Sequence, residues 1–417
     1  MQTLFLFFLI LIYGTSVTAQ TIVAGVGIKN KKSVIKYGFI DLSGKTIVPP
    51  SYDGIYDYHN GEVLVSKDNK FGIIDIKGNT IIEIKYANLD LFEDGLAKVF
   101  VGETENIITS NKYGYINRQG EFIIPPRYID AKRFSEGLAA VKYPEPINRW
   151  GFIDKFGQEK IPAKYFEASD FINGVALVRG KYEDEYQYIN INGTPITEKK
   201  FRHANLFSED GGAKMVYDNK CFGRINLQGE IIFCTNFNSI EIHDFLSFKD
   251  GLAPASFDNN GDDLLWGFID SLGKIAIPPS YLYVRQFSDG LALVGKSCRN
   301  EEEDYVAYGF IDKSNGFVIP PVILTSESEI GSFCEGLAFV KNAKGYGYID
   351  KSGNFAIQPK YSSASDFTYG LARVSNDTKF GYINPKGAEV IKLQFDDASF
   401  FFDVNGKGNI ILFPRQN

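Results

Sequence analysis

The stretch Tyr37–Asp53, YGFIDLSGKTIVPPSYD, decides the reading of this chain, because it returns in altered form along almost the whole length. An aromatic residue followed by glycine opens the unit at Tyr37-Gly38, Phe71-Gly72, Tyr113-Gly114, Trp150-Gly151, Phe222-Gly223, Trp266-Gly267, Tyr308-Gly309, Tyr346-Gly347 and Phe380-Gly381. A degenerate copy opens at Tyr186-Gln187, which makes ten. Neighbouring starts lie 34 to 44 residues apart, a period that signals an array of stacked supersecondary units.

The first half of each unit is rigid in length. A second glycine follows six residues after the first, at Gly44, Gly78, Gly120, Gly157, Gly193, Gly229, Gly273, Gly353 and Gly387, and seven after it at Gly316, past an inserted Asn315. An aromatic follows fourteen residues on, as at Tyr52, Tyr128 and Phe395. The spacing predicts a hairpin: one strand through Aromatic-Gly-Phe-Ile, a turn at Asp-x-x-Gly, and a return strand that Pro-Pro terminates. Asp41, Asp75, Asp154, Asp270, Asp312 and Asp350, with Asn117, Asn190, Asn226 and Asn384, are placed to fold their side chains onto turn N–H groups. The following glycine then supplies the positive φ of a type I turn with a bulge. The second half carries Phe-x-x-Gly-Leu-Ala-x-Val, as at Phe134/Gly137-Leu138-Ala139, and its alternation predicts a third, half-buried strand. Three short strands bury little by themselves, so adjacent copies must stack.

The Lys-aromatic-Gly opening (Lys36-Tyr37-Gly38, Lys112-Tyr113-Gly114, Lys379-Phe380-Gly381), the two Trp-Gly pairs, and the Ile-Pro-Pro-x-Tyr and Phe-x-x-Gly-Leu-Ala blocks resemble the WG, or KWG, repeat of bacterial proteins. That resemblance implies a β-rich repeat fold and frequent export. It implies no defining catalytic residues and no cofactor.

Bulk properties agree with one continuous array. The 417 residues are 44% apolar and 15% aromatic, enough for a large core, and no linker or charge block interrupts the repeats. A net charge of −7 argues against nucleic acid, whose phosphates call for a basic stripe. The N-terminus, MQTLFLFFLILIYGTSVTAQ, holds an apolar run at Leu4–Tyr13 that is too short to span a bilayer. Val17 and Ala19 supply the small residues of an export cleavage site. Residues 1–19 are therefore expected to be a signal peptide and 20–417 a single array with units 37–70, 71–112, 113–149, 150–185, 186–221, 222–265, 266–307, 308–345, 346–379 and 380–417. No transmembrane segment is expected in the mature chain. Of the cysteines, Cys298 and Cys334 stand apart, while Cys221 and Cys234 flank one predicted hairpin. In an oxidising compartment these two can bridge; as free thiols they would be half-buried, and the sequence leaves both states open.

No residue is singled out as catalytic, cofactor-binding or metal-ligating. The Asp column offers one carboxylate per turn, where a calcium loop needs several oxygens. His59, His203 and His243 fall at different phases of different copies, so no nucleophile–base pair or zinc site is indicated. Only aromatics off the register, such as Tyr56, Tyr182, Tyr283 and Tyr369, are candidates for exposed contacts. Length varies where the third strand meets the next Aromatic-Gly, at Val101–Lys112, Tyr143–Arg149, Gly180–Glu185, Ser256–Leu265 and Gly295–Ala307. Several of these joints are acidic, notably Glu183-Asp184-Glu185 and Glu301-Glu302-Glu303-Asp304, and insertions in repeat arrays tend to gather on a binding face. The fifth and sixth copies are the most eroded, with Gly211-Gly212-Ala213 in place of Gly-Leu-Ala, and read as a drifted middle.

The expectation is an all-β tandem array of about ten three-stranded antiparallel units. An open solenoid or superhelix is favoured over a closed propeller, because unit length varies and both ends look capped. The function expected is that of an exported, non-catalytic binding or scaffold module for a protein or glycan partner of the envelope or beyond. The rivals are a carbohydrate- or peptidoglycan-binding protein, which needs exposed aromatics on one face, and a hydrolase with a carboxylate site grafted onto the array.

Overall fold

The computed structural model describes residues 21–102, 112–182, 185–208, 210–217, 221–235, 242–259, 262–299 and 304–412. The expected signal peptide and the joints at Glu183-Asp184 and Glu301-Glu302-Glu303 lie outside them, as does most of Val101–Lys112.

Each Asp/Asn-x-x-Gly turn forms as its chemistry dictates. Asp41 Oδ1 accepts the N–H groups of Ser43 and Lys45 at 2.9 and 3.0 Å, and Asn384 does the same for Lys386 and Ala388. Gly44, Gly120 and Gly353 have φ of 82°, 77° and 83°. The opening glycine has a different cause. Tyr37 faces Tyr52 and Phe39 faces Val48, so the return strand does not stop at Pro49-Pro50 as expected but bulges there over Gly38 and runs on to Tyr52. A Cβ there would lie 2.2 Å from the Val48 carbonyl oxygen.

These hairpins assemble into ten small antiparallel sheets in which strands follow in sequence order. One sheet, for example, runs Asp130–Ala131, Leu138–Lys142, Trp150–Asp154, Glu159–Tyr165. Most sheets thus gain a short first strand ahead of the three expected. The sequence unit and the sheet are also out of phase: each repeat supplies the third and fourth strands of one sheet and the first and second of the next. First and second strands meet at a turn of two left-handed residues, such as Asp94-Gly95 with φ of 51° and 86°, the geometry that matches strand twist in a tight hairpin. These turns stitch neighbouring sheets, since Gly137 N–H donates to Asp94 at 2.7 Å and Gly174 N–H to Glu136 at 2.8 Å.

The array is not an open solenoid. It closes into a ring of ten blades, a β-propeller. The two ends that look like caps are the seam: Ile22–Lys29 pairs antiparallel with Asp397–Ala398 and Phe402–Asp403, setting Val26 opposite Ala398 and Val23 opposite Phe402. Lys407–Leu412 adds a second stitch along Gly54–His59. Packing gives the same answer. Among the described residues there are ten apolar clusters, one between each successive pair of blades. The tenth joins last to first, with Ala24, Val26 and Ile40 against Tyr382, Ile391 and Phe395. Variation in unit length does not open the ring, because it falls in the connections between strands, mainly the links from second to third, with the 3-10 turn Glu327–Glu329 added between one blade and the next. Two of those links are simply longer hairpins, with Asn259 opposite Asp262 and Arg299 opposite Asp304.

Candidate functional site

First strands form the inner edge of the ring. Arg133, just after the first strand of one blade, donates to Asp90 one blade back at 3.2 Å and to Asp57 two blades back at 2.6 Å. Such convergence of three blades is possible only near the axis. Lys98 completes this network, 3.1 Å from Asp90. The two carboxylates are balanced by two cations, which marks a structural clamp.

One column of the repeat governs what else the inner side can hold. The residue after the opening glycine is fully buried in nine blades: Phe39, Ile73, Tyr115, Phe152, Tyr188, Phe268, Phe310, Tyr348 and Tyr382. Most of these pack on a ring of the next blade, with centroids 4.8 Å apart for Tyr115 and Phe134 and 4.9 Å for Tyr348 and Phe367. The tyrosines also donate their hydroxyls inward, Tyr115 to the Lys132 carbonyl at 2.7 Å and Tyr382 to that of Ser399 at 2.7 Å. Burial pushes the phenols of Tyr115 and Tyr382 far above their usual range.

In the blade built from His203–Thr235 the column breaks. Its member is Arg224, 5% exposed, with its guanidinium 2.5 Å from Asp210 and stacked over Phe248 of the next blade at 4.4 Å. The space it needs exists because Gly212 stands where most other repeats carry leucine or valine, and where the first carries Glu62. A Cβ on Gly212 would lie 2.0 Å from Arg224 Nε. A buried charge costs several kcal/mol unless paired, and Asp210, which also accepts from Ser208 at 2.6 Å, supplies the pairing. The erosion where the fifth copy meets the sixth is therefore a coordinated replacement and not drift.

Beside it opens a cavity of about 610 Å³ spanning three blades, whose lining includes Lys214, Arg224, Phe248, Trp266, Tyr283 and Arg285. Lys214 is neutralised by Asp244 at 2.6 Å. Arg285 donates to the Ile330 and Glu327 carbonyls at 2.7 and 2.8 Å, and among the described residues no carboxylate lies within ion-pairing distance of it. Farther off, burial raises the Asp366 carboxyl above its ordinary range, and the Arg285 charge offsets part of that rise. A second cavity, about 600 Å³ and mainly apolar, lies between the last of these three blades and its successor and is lined by Ile319, Leu324, Val340 and Phe355 among others.

The residues weighed from sequence do not converge. His59 sits 3.5 Å from Glu93, His203 is exposed in another blade, and the side chain of His243 lies outside the described residues. Tyr56 is bonded to Ser66 at 3.1 Å. Tyr182 and Tyr369 are exposed, but one follows a second strand and the other lies in a first-to-second-strand turn, which open on opposite faces of the ring. Only Tyr283 reaches the cavity. Among the described residues no cluster of His, Cys, Asp and Glu is arranged to hold a metal ion, and no helix is long and apolar enough to cross a membrane. Cys221 and Cys234 form a disulfide joining the third and fourth strands of the Arg224 blade. Sequence reading missed Arg224 and Arg285, although a charged residue in the post-glycine column, facing a lost leucine, was there to be seen.

A closed ring of repeated four-stranded blades with one interrupted column defines a β-propeller of the repeat-built kind. The chain belongs to the WG-repeat family: the pattern described as "WG containing repeat" matches residues 37–71, 71–104, 113–143, 150–181, 266–297, 308–344, 346–379 and 380–408. The units it leaves unmatched include the one that carries Arg224. No curated protein matches the sequence. Among solved structures, the chain is similar to one titled "Crystal structure of the eukaryotic initiation factor" (12% identity, TM-score 0.49, covering 93% of this chain and 98% of that one). It is also similar to BamB from Moraxella catarrhalis (9% identity, TM-score 0.29, covering 69% and 92%). Likenesses this distant bear on neither activity nor partner.

Proposed function

We propose that this protein is an exported, non-catalytic docking module that receives a partner in the cavity on the inner side of the Arg224 blade and its two successors. The observation that supports this reading is the paired presence of Gly212 and Arg224. Eight blades fill the equivalent space with two apolar side chains and a ninth sets Glu62 beside Ile73; this one gives up that packing for a charged, half-open recess. Cavities of this size, lined by aromatics with a few fixed polar groups, are the usual form of a binding site. Export rests on the apolar run at Leu4–Tyr13 followed by Val17 and Ala19. N-terminal sequencing of the mature protein should begin at Gln20, and an intact Met1 would remove that part of the reading.

The docking claim is tested by returning the cavity to the repeat's own pattern. Gly212→Leu with Arg224→Phe should fold as a ring yet lose the partner captured by the wild-type chain from an envelope extract. An unchanged partner set would refute the cavity as the docking site.

A further inference from the structure

We infer that the ligand of this cavity is an organic carboxylate with an aromatic body, its anion held at Arg285 and its ring against Phe248 and Trp266; this rests on the docking reading above. Three cationic side chains line the recess and two of them are already neutralised, Arg224 by Asp210 and Lys214 by Asp244. Arg285 is held by two backbone carbonyls and, through both Nε and Nη2, by the Tyr283 hydroxyl, which fix its position without cancelling its charge and leave one Nη1–H to donate. The recess thus keeps one formal positive charge inside a chain whose net charge is −7. A pre-positioned, half-buried guanidinium with an N–H to spare donates a strong charge-assisted hydrogen bond to a carboxylate. The rest of the lining selects the body: Phe248 and Trp266 are half-buried and flank the recess, and Arg224 already stacks on Phe248, leaving a surface suited to offset ring packing. Two sources carry this chemistry, a free aromatic acid and the C-terminal aromatic residue of a partner chain.

The test uses the full mature chain and calorimetric titration with N-acetylphenylalanine, its neutral amide, acetate, and the acetylated tetrapeptide Gly-Gly-Gly-Phe as free acid. N-acetylphenylalanine should bind about tenfold or more tighter than either the amide or acetate, and its affinity, unlike the amide's, should fall as salt rises. Arg285→Gln should bring the acid-to-amide preference to within about twofold, and Arg285→Lys, which keeps the charge without the fixed planar group, should keep only part of it. A tetrapeptide that matches the free acid assigns the site to a chain terminus; one that binds about tenfold weaker assigns it to a small acid. Equal binding of acid and amide in the wild-type chain, or no binding of any probe, overturns the inference even where a variant fails to fold. The docking reading would then still stand or fall separately, on whether partner capture depends on Gly212 and Arg224.

Discussion

The guanidinium of Arg224 fills the place of a side chain on Gly212, with its Nε 2.0 Å from where that residue's Cβ would stand. The two lie on adjacent strands, Gly212 opposite Asn226 and Lys214 opposite Arg224, so each position fixes what the other is able to hold.

Stability should therefore couple between them. Gly212→Leu alone overpacks the core and should cost about 1–3 kcal/mol. Arg224→Phe alone strands the Asp210 carboxylate and should also destabilise. The double variant should recover part of both losses, with a coupling of about 0.5–3 kcal/mol in urea unfolding. Additive losses would show that the two positions are independent.

Ring closure predicts a covalent link that an open array forbids. With Val26→Cys and Ala398→Cys, two residues 372 positions apart that face each other across the seam should form a disulfide on mild oxidation. Non-reducing peptide mapping would detect the joined fragments. Free thiols at both positions would mean that the ring is open.

The turn glycines should tolerate little. Gly353 has φ of 83°, and a Cβ there would meet Ile319 of the preceding blade at 3.4 Å. Gly353→Val should cost roughly 1–3 kcal/mol through backbone strain, whereas His59→Ala should leave partner capture unchanged. Denaturation midpoints and the extract assay check both.

Acid should unpick the turns. The Ser314 hydroxyl holds the Asp312 carboxyl below its ordinary 3.8, and Ser352 does the same for Asp350. A carboxyl whose folded-state pKa is depressed contributes stability above 3.8, and that contribution is lost as pH falls through the lower folded-state value. Replacing Asp41, Asp312 and Asp350 together with Asn, the residue four other turns already use, should flatten the decline in stability below about pH 4. An unchanged pH profile would count against the turns as its source.

Much of this was legible in the sequence. The turns and the core aromatics follow from spacing, because each is set by residues within fourteen positions of one another; the return strand, expected to stop at Pro-Pro, instead runs through a bulge to Tyr52. Closure was not. Pairing of Val26 with Ala398 is a contact between the two ends of the array, and the strand-like Thr21–Gly27 reads equally well as a cap or as half a seam. The short first strands escaped notice because two residues, such as Asp130–Ala131, show no alternation. Arg224 was hidden by a habit of reading: departures from a repeat look like decay until the compensating residue is found on the neighbouring strand.

The offset between repeat and blade sets how the molecule is made. As the ribosome releases one repeat after another, every intermediate length ends on half a sheet, and Ile22–Lys29 waits with one bare edge from the start of synthesis almost to its end. Unpaired edges of this kind invite pairing with other chains. Completion and protection thus arrive together, when Asp397–Asp403 reaches back to the first strand, and a chain cut short anywhere before that point would be recognisable to its surroundings by the edge it still displays.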